Sequence, residues 1–424
     1  MVTSLLRKMI LGKKEKFLFK GYQEGNINFK DIDDETGLYI HIPFCRSLCP
    51  YCPYNKILYD RDKAEAYKVA LIKELTLQRE NLKDKKINSI YIGGGTPTLL
   101  ITELKEVIKY IKVYFNFKGD IGIEIHPKEV NEDLLIHLKN LGINLISLGV
   151  QTFDNDILKF LGRNYNNHDI DKAITLVKSF NFQCLDIDIM TNLPGQTLED
   201  IRYDLEKVYS YNIDQLSIYP LIIFPMTKMQ KVIKEKNLSR LNEWQERKVL
   251  QVIDEVSKEY GYDRSSIWTY GKTHNNRYTS VTRESFVGFG AGASSHFGNY
   301  FYLNTFSVDD YINALEEDRL PINIVNFMTD REKMIFWIFW RCYDGIIDGK
   351  RFKELFQKDM QKEFKLLFFL LKFLRLAVEE EGKITLTDFG RYVYHFVEKQ
   401  YSIHYLNKLW QDSMEKAWIE EIKI

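Results

Sequence analysis

Neither sign of charge dominates this sequence: 59 lysines and arginines face 59 aspartates and glutamates over 424 residues. A neutral chain has no basic field to draw it to nucleic acid or to an anionic membrane surface, so neither partner is expected. Long apolar runs are missing too. The most apolar stretch, Leu366–Val378, is interrupted by Lys372 and Arg375 and is too short to span a bilayer. Near the N-terminus, Arg7 and Lys8 break the apolar segment Met1–Gly12 before a secretory core can form. Cysteine is scarce. Five cysteines in a chain of this size exclude a disulfide framework and point to a reducing, cytoplasmic setting.

What is present is material for a core. Hydrophobic residues make up 45% of the chain and aromatics 14%, which excludes disorder and allows several domains. Short apolar runs alternate with segments of helical period between Leu38 and Pro220. The runs Leu38–Pro43, Ser89–Gly93, Gly122–Ile125, Asn144–Gly149, Leu185–Met190 and Gln215–Tyr219 read as strands. Helices are expected over Asp62–Gln78, Thr102–Tyr114, Asn131–Leu141, Asn155–Leu161, Asp169–Phe180 and Leu198–Tyr211. Thr197 and Asp200 form a capping box for the last of these. Such repeats predict an α/β fold, a partial parallel (β/α)6 barrel of TIM-barrel type with helices outside and chemistry at the C-terminal strand ends.

Five features stand where that chemistry would be. Cys45 follows the first strand, Gly93–Gly95 the second and Gln151 the fourth; Glu124 ends the third, and Asp188 lies late in the fifth. Beyond Pro225 the repeat fades into charged helices over Lys228–Tyr260 and a small-residue stretch, Gly288–Gly298. Phe364–Leu376, then Ile384–Thr387 and Gly390, read as helix, strand and helix of a C-terminal winged-helix-like module, which is expected to pack or act as a lid. The divisions are an N-terminal extension (1–37), the partial barrel (38–225), a barrel-completing extension (226–306) and the helical, winged-helix-like domain (307–424).

The remaining cysteines fall into two groups. Cys184 and Cys342 stand alone and read as small buried hydrophobes. Cys45, Cys49 and Cys52 sit on one loop with Cys-x3-Cys-x2-Cys spacing. A cubane cluster normally takes four thiolates, so three on one loop leave an iron open to a chelating ligand. Structural zinc is the competing reading, but it wants four ligands, and no second Cys/His pair has finger spacing.

The ordered motifs resemble the radical S-adenosylmethionine superfamily and, within it, the oxygen-independent coproporphyrinogen III oxidase-like and haem chaperone-like family. They are Tyr39-Ile-His-Ile-Pro-Phe-Cys45, Gly93-Gly-Gly-Thr-Pro-Thr98, Glu124-Ile-His-Pro127, Gly149-Val-Gln-Thr-Phe153 with Gly162-Arg163, Asp188 before Leu193-Pro-Gly-Gln-Thr197, Gly288-Phe-Gly-Ala-Gly-Ala293, and Ile384-x-Leu-Thr-x-x-Gly390. The resemblance runs from about Leu38 to Val397. It implies a [4Fe–4S] cluster on Cys45, Cys49 and Cys52, with one or two molecules of S-adenosylmethionine. Tyr39, Gly94, Gly95, Thr96 and Glu124 would contact the molecule at the open iron. Tyr51, Gln151, Arg163 and Asp188 match further positions that bind S-adenosylmethionine. Reduction of the sulfonium would give methionine and a 5′-deoxyadenosyl radical that abstracts hydrogen from a substrate. A porphyrin or haem would be that substrate, and a low-potential donor such as flavodoxin or ferredoxin would supply the electron.

Three departures narrow this reading. The decarboxylating oxidase carries a fourth cysteine where this chain has Tyr54, which argues against decarboxylation. Leu145 stands where relatives commonly place Arg. His274 and Tyr278 match a motif associated with haem in the haem chaperone, making haem a candidate ligand, but Thr279 replaces its Trp. His126 is a candidate lining residue, and His296 reads as structural. Haem transfer without turnover, and radical methylation of haem or of a non-tetrapyrrole metabolite, stay open as alternatives.

Overall fold

The computed structural model describes residues 17–236, 238–272 and 284–424. Its strands are β1 (Leu18–Gly21), β2 (Glu35–Ile42), β3 (Lys86–Gly94), β4 (Asn116–Ile125), β5 (Leu145–Gln151), β6 (Cys184–Thr191), β7 (Gln215–Pro220), β8 (Asp263–Ser266), β9 (Thr269–Gly271), β10 (Phe286–Phe289), β11 (Ser294–Phe297), β12 (Tyr300–Asn304) and β13 (Ile322–Phe327). With a C-terminal strand, Glu421–Lys423, these make one mixed sheet of 14 strands. Its centre is the parallel run β7-β6-β5-β4-β3-β2-β10. The six expected strands are all there, and β10 adds a seventh beside β2. Within the N-terminal extension, β1 pairs with β13 and with Glu421–Lys423. Residues His274 and Tyr278 lie outside the described residues.

The pleat sorts each parallel strand into two faces. Leu38 and Ile40, Ile90 and Ile92, Ile121 and Ile123, Ile146 and Leu148, and Ile187 and Ile189 are buried in one apolar cluster with the helices. The helices meet them with stripes of helical period: Leu104, Val107, Ile108 and Ile111 on Ile101–Tyr114, and Ile170, Ala173, Ile174 and Val177 on Asn167–Ser179. The other face is polar toward the C-terminal strand ends and carries Glu124, Ser147, Asp186, Asp188 and Ser217. Tyr39, Tyr91, Leu145 and Cys184 close the interior with a small apolar plug. Thr197 and Asp200 form the expected capping box.

The C-terminal segment has its own three-stranded sheet, Ile346–Asp348, Lys383–Leu386 and Ala377–Glu380 in that order. A second apolar cluster fills it, including Trp337, Phe352, Phe368 and Ile384. A buried ionic node ties this segment to the parallel sheet and its helices. Glu246, on helix Glu243–Glu259, accepts from Lys399 Nζ at 2.6 Å and pairs with His395 Nε2 at 3.0 Å, and Asn192, just past β6, donates to the same carboxylate. Trp268 Nε1 donates to His395 Nδ1 at 2.9 Å, so the His395 proton sits on Nε2 and is given to Glu246. Burial would raise the Glu246 carboxyl, but His395 and Lys399 hold it below its usual value. Glu246→Ala would leave Lys399 buried without its carboxylate. Denaturant unfolding is expected to show a loss of about 3–5 kcal/mol, whereas a surface ion pair such as Lys231–Glu235 would give under about 1 kcal/mol.

Candidate functional site at the strand ends

The chain leaves β2 into the cysteine loop, which is fixed at both ends. Ile57 N donates to Pro43 O at 2.6 Å and Tyr59 N to Cys45 O at 2.9 Å. Asn55 Nδ2 donates to Ala291 O and Phe306 O at 3.0 and 2.9 Å, and Asn55 O meets His41 Nε2 at 3.0 Å. Within the loop, Cys52 N donates to Cys49 O, and Lys56 Nζ holds Cys52 O at 2.6 Å. All three cysteines are free of disulfides. Burial pushes the Cys45 thiol up to about 11, against a hydrogen bond from Thr96.

The second strand end lies directly against this loop. Gly95 N donates to Ile42 O and Thr96 N to Phe44 O, both at 2.7 Å. A Cβ on Gly95 would sit 2.5 Å from Phe44 O and 2.9 Å from Cys45 Sγ. Gly94 has φ +117°, and a Cβ there would meet the His41 ring at 2.7 Å. Only glycine allows both the backbone conformation and the approach.

The remaining expected residues gather around the same opening. Glu124 accepts from Tyr91 Oη at 2.5 Å and from Gly94 N at 3.1 Å; burial raises its carboxyl, and these bonds oppose the rise. Asp188 accepts from Ser147 Oγ at 2.6 Å. Gln151 takes φ +74° where the β5–β6 register shifts, and is buried at the strand end. Arg163 donates to Tyr51 Oη, and its buried Nε has no partner. Tyr39 turns its hydroxyl to His41 Nδ1 at 2.8 Å and packs on Tyr91. His126 lies edge-on to Tyr165, with centroids 4.9 Å apart, and burial drives its pKa down to about 3. His296 is buried against Phe336, its Nδ1 on Glu284 O, which agrees with packing.

Tyr54 is 54% exposed, and its ring meets Trp410, which stacks on Phe224 at 5.7 Å. The C-terminal helix Asn407–Glu415 thereby reaches the rim of the cysteine loop. Sequence reasoning missed this contact, together with Tyr91, Ser147, Asp186 and Asn55. Strand parity was the one available signal, and it applies to Tyr91, Ser147 and Asp186.

The donor set suits an iron–sulfur cluster with a chelating ligand. Three free thiols are spread round a turn, a side-chain-free backbone presses on one of them, and carboxyls with an unfilled guanidinium nitrogen surround the opening. Among the described residues, no three Cys, His, Asp or Glu side chains close on a single metal-ion position.

Comparison with known proteins agrees. Residues 39–208 match the family model described as Radical SAM superfamily. The chain is 34% identical over 299 residues to the Heme chaperone HemW of Buchnera aphidicola subsp. Schizaphis graminum, covering 69% of this chain and 76% of that one. It is 29% identical over 364 residues to the Heme chaperone HemW of Bacillus subtilis (strain 168), covering 83% and 95%. The Oxygen-independent coproporphyrinogen III oxidase of Escherichia coli (strain K12) is 28% identical over 300 residues, covering 66% and 65%. The solved structure of the coproporphyrinogen III oxidase HemN from Escherichia coli superposes with a TM-score of 0.79 at 23% identity, over 91% of this chain and 95% of that one, which establishes the fold. The chain therefore belongs to the radical SAM superfamily and, within it, to the group that contains HemW and the oxygen-independent coproporphyrinogen III oxidases.

Proposed function

We propose that Cys45, Cys49 and Cys52 hold a [4Fe–4S] cluster with one open iron, that S-adenosylmethionine binds beside it, and that a tetrapyrrole is the substrate. The observation that carries this reading is the convergence of Cys45, Gly94–Gly95, Glu124, Gln151 and Asp188 on consecutive parallel strand ends. When bound, a cluster of this kind supplies the electron that cleaves the sulfonium. The chain's own residues do the positioning. Gly94 and Gly95 admit the ligand close to the backbone, and Glu124 accepts from its ammonium group. Arg163 has donors for a carboxylate, its charge steadied by Tyr51 and Tyr165. Asp188 and Gln151 offer acceptors and donors to the remaining polar groups.

Tyr54 favours haem or porphyrin modification other than decarboxylation, since the oxidase's fourth cysteine is absent. Haem transfer without turnover is the second reading. It is favoured by the near full-length sequence match to HemW of Bacillus subtilis. A flavodoxin or ferredoxin would deliver the electron, in the cytoplasm. The division at 37/38, 225/226 and 306/307 belongs to the same proposal. Among the described residues no helix is long and apolar enough to cross a membrane.

Anaerobic reconstitution with iron and sulfide, followed by reductant and S-adenosylmethionine, is expected to yield 5′-deoxyadenosine. Cys49→Ala should bring both bound iron–sulfur absorbance and that product to background; if both persist, the cluster assignment fails. Haem and coproporphyrinogen III offered in parallel, with mass spectrometry of the products, separate modification from uptake without change. Trp410→Ala removes the ring behind Tyr54 and should weaken haem uptake about 3- to 10-fold in an absorbance titration while leaving cluster content intact.

A further inference from the structure

Strand β6 carries two carboxyls on its inward face, Asp186 and Asp188, one pleat repeat apart. Asp188 stands at the opening, within reach of the charge of Arg163. Asp186 stands below it, 2% exposed. Its Oδ2 accepts from Ser217 Oγ at 2.8 Å, and its buried Oδ1 has no partner. Among the described residues no ion pair engages Asp186, so a buried negative charge there would be met only by hydrogen bonds from the neutral donors Ser217 and Gln215.

We propose that Asp186 is held as a neutral carboxylic acid and acts as a positioning residue. It confines the negative charge of β6 to Asp188 and leaves its own Oδ1–H as a donor for a bound ligand or water.

The surroundings of the pair set this division. On β6 itself, Asp186 lies between Asp188 and the buried Cys184. From β7 it meets Gln215 and Ser217, neutral donors both, with the partly buried Tyr219 beyond. From β5, Ser147 serves Asp188. Glu124 on β4 adds a second negative charge near Asp188, and Arg163 adds the positive one. The phenols of Tyr54 and Tyr165 also feel Asp188. Burial raises the Asp186 carboxyl most and the charge of Asp188 raises it further, while hydrogen bonds from Ser217 and Gln215 oppose the rise without reversing it. Two anions one pleat apart in a dry interior would repel, and the carboxyl without a cation keeps the proton. An Asp186 carboxyl is thus the chemical equivalent of an amide at this position.

The protonation state does not depend on which ligand the site takes. Its consequence for S-adenosylmethionine rests on the function proposed above. Ionised Asp188 accepts from the ligand, so affinity should rise as pH climbs through the Asp188 pKa, which burial lifts above the usual carboxylate range.

Difference infrared spectroscopy on the protein without S-adenosylmethionine tests the proton directly. At neutral pH the wild-type-minus-Asp186→Asn difference should show one carbonyl-stretch band of a neutral carboxylic acid, set apart from other buried acids such as Glu74 and Glu398, and Asp188→Asn should keep that band. Ser217→Ala, which removes the donor to Oδ2, should move this band without abolishing it. This variant also keeps the test open if Asp186→Asn does not fold. A wild-type spectrum without the band, or a band that Asp186→Asn and Ser217→Ala both leave unmoved, overturns the proposal. Equilibrium dialysis of S-adenosylmethionine against the reconstituted protein then gives affinity against pH. Asp186→Asn should keep the midpoint of this profile, whereas Asp188→Asn should lose about tenfold in affinity. A midpoint that moves to lower pH by about a unit in Asp186→Asn would mean that a real charge had been removed, and would also overturn it. The infrared result needs neither cluster nor ligand, so failure of the cluster assignment is told apart from failure here.

Discussion

The pleat of the parallel strands sends alternate side chains to opposite faces, and the rest of the site follows from how this sequence fills them. The outer set is branched and apolar, and its burial under the helices is worth about 1.5–3 kcal/mol per side chain. That burial fixes the register, because a slip of one residue would put Ile187 and Ile189 inside and Asp186 and Asp188 under the helices. The inner set is then bound to be polar groups in a dry space. Such groups are costly unless partnered, and the partners come from neighbouring strands: Tyr91 for Glu124, Ser147 for Asp188, Ser217 for Asp186.

A second set of buried polar bonds holds the cysteine loop against this interior. Asn55 binds Ala291 O and Phe306 O, and Tyr67 Oη donates to His41 O at 2.8 Å. Glu74 accepts from Gly290 N, Asn304 Nδ2 and Tyr311 Oη, and burial lifts its carboxyl to about 7 against these three bonds. Thus the glycine–alanine turn after β10 is shaped as a clamp on the loop. The positive φ of Gly290 and Gly292 suits this use, since a side chain on either would strike Tyr67 or Asn55.

Much of this was legible in the sequence because it is local. A strand's apolar run, a helix's stripe, the Thr197–Asp200 cap and the spacing of three cysteines all lie within a few residues of one another. The strand-end features were legible for a related reason: in a parallel β–α repeat, chain order alone brings consecutive strand ends to one rim. Asn55, Glu74 and Glu246 gave no such signal. Their partners lie 236, 230 and 153 residues away, and a lone acid or amide in a helix or loop looks like a solvated surface residue.

The sequence by itself determined the β–α order, the helix-facing sides of the strands and the thiol loop, since each depends on the pattern of near neighbours. Tertiary structure alone decided what the inward polar groups touch. Tyr54 meets Trp410 because the last helix returns to the rim. Tyr39 serves His41, and Asp186 is left with neutral donors and no cation, because the strands that pack beside them supply no basic side chain to it. Those outcomes depend on which side chains share a closed, water-poor space, and that is set only when distant segments of the chain have come together.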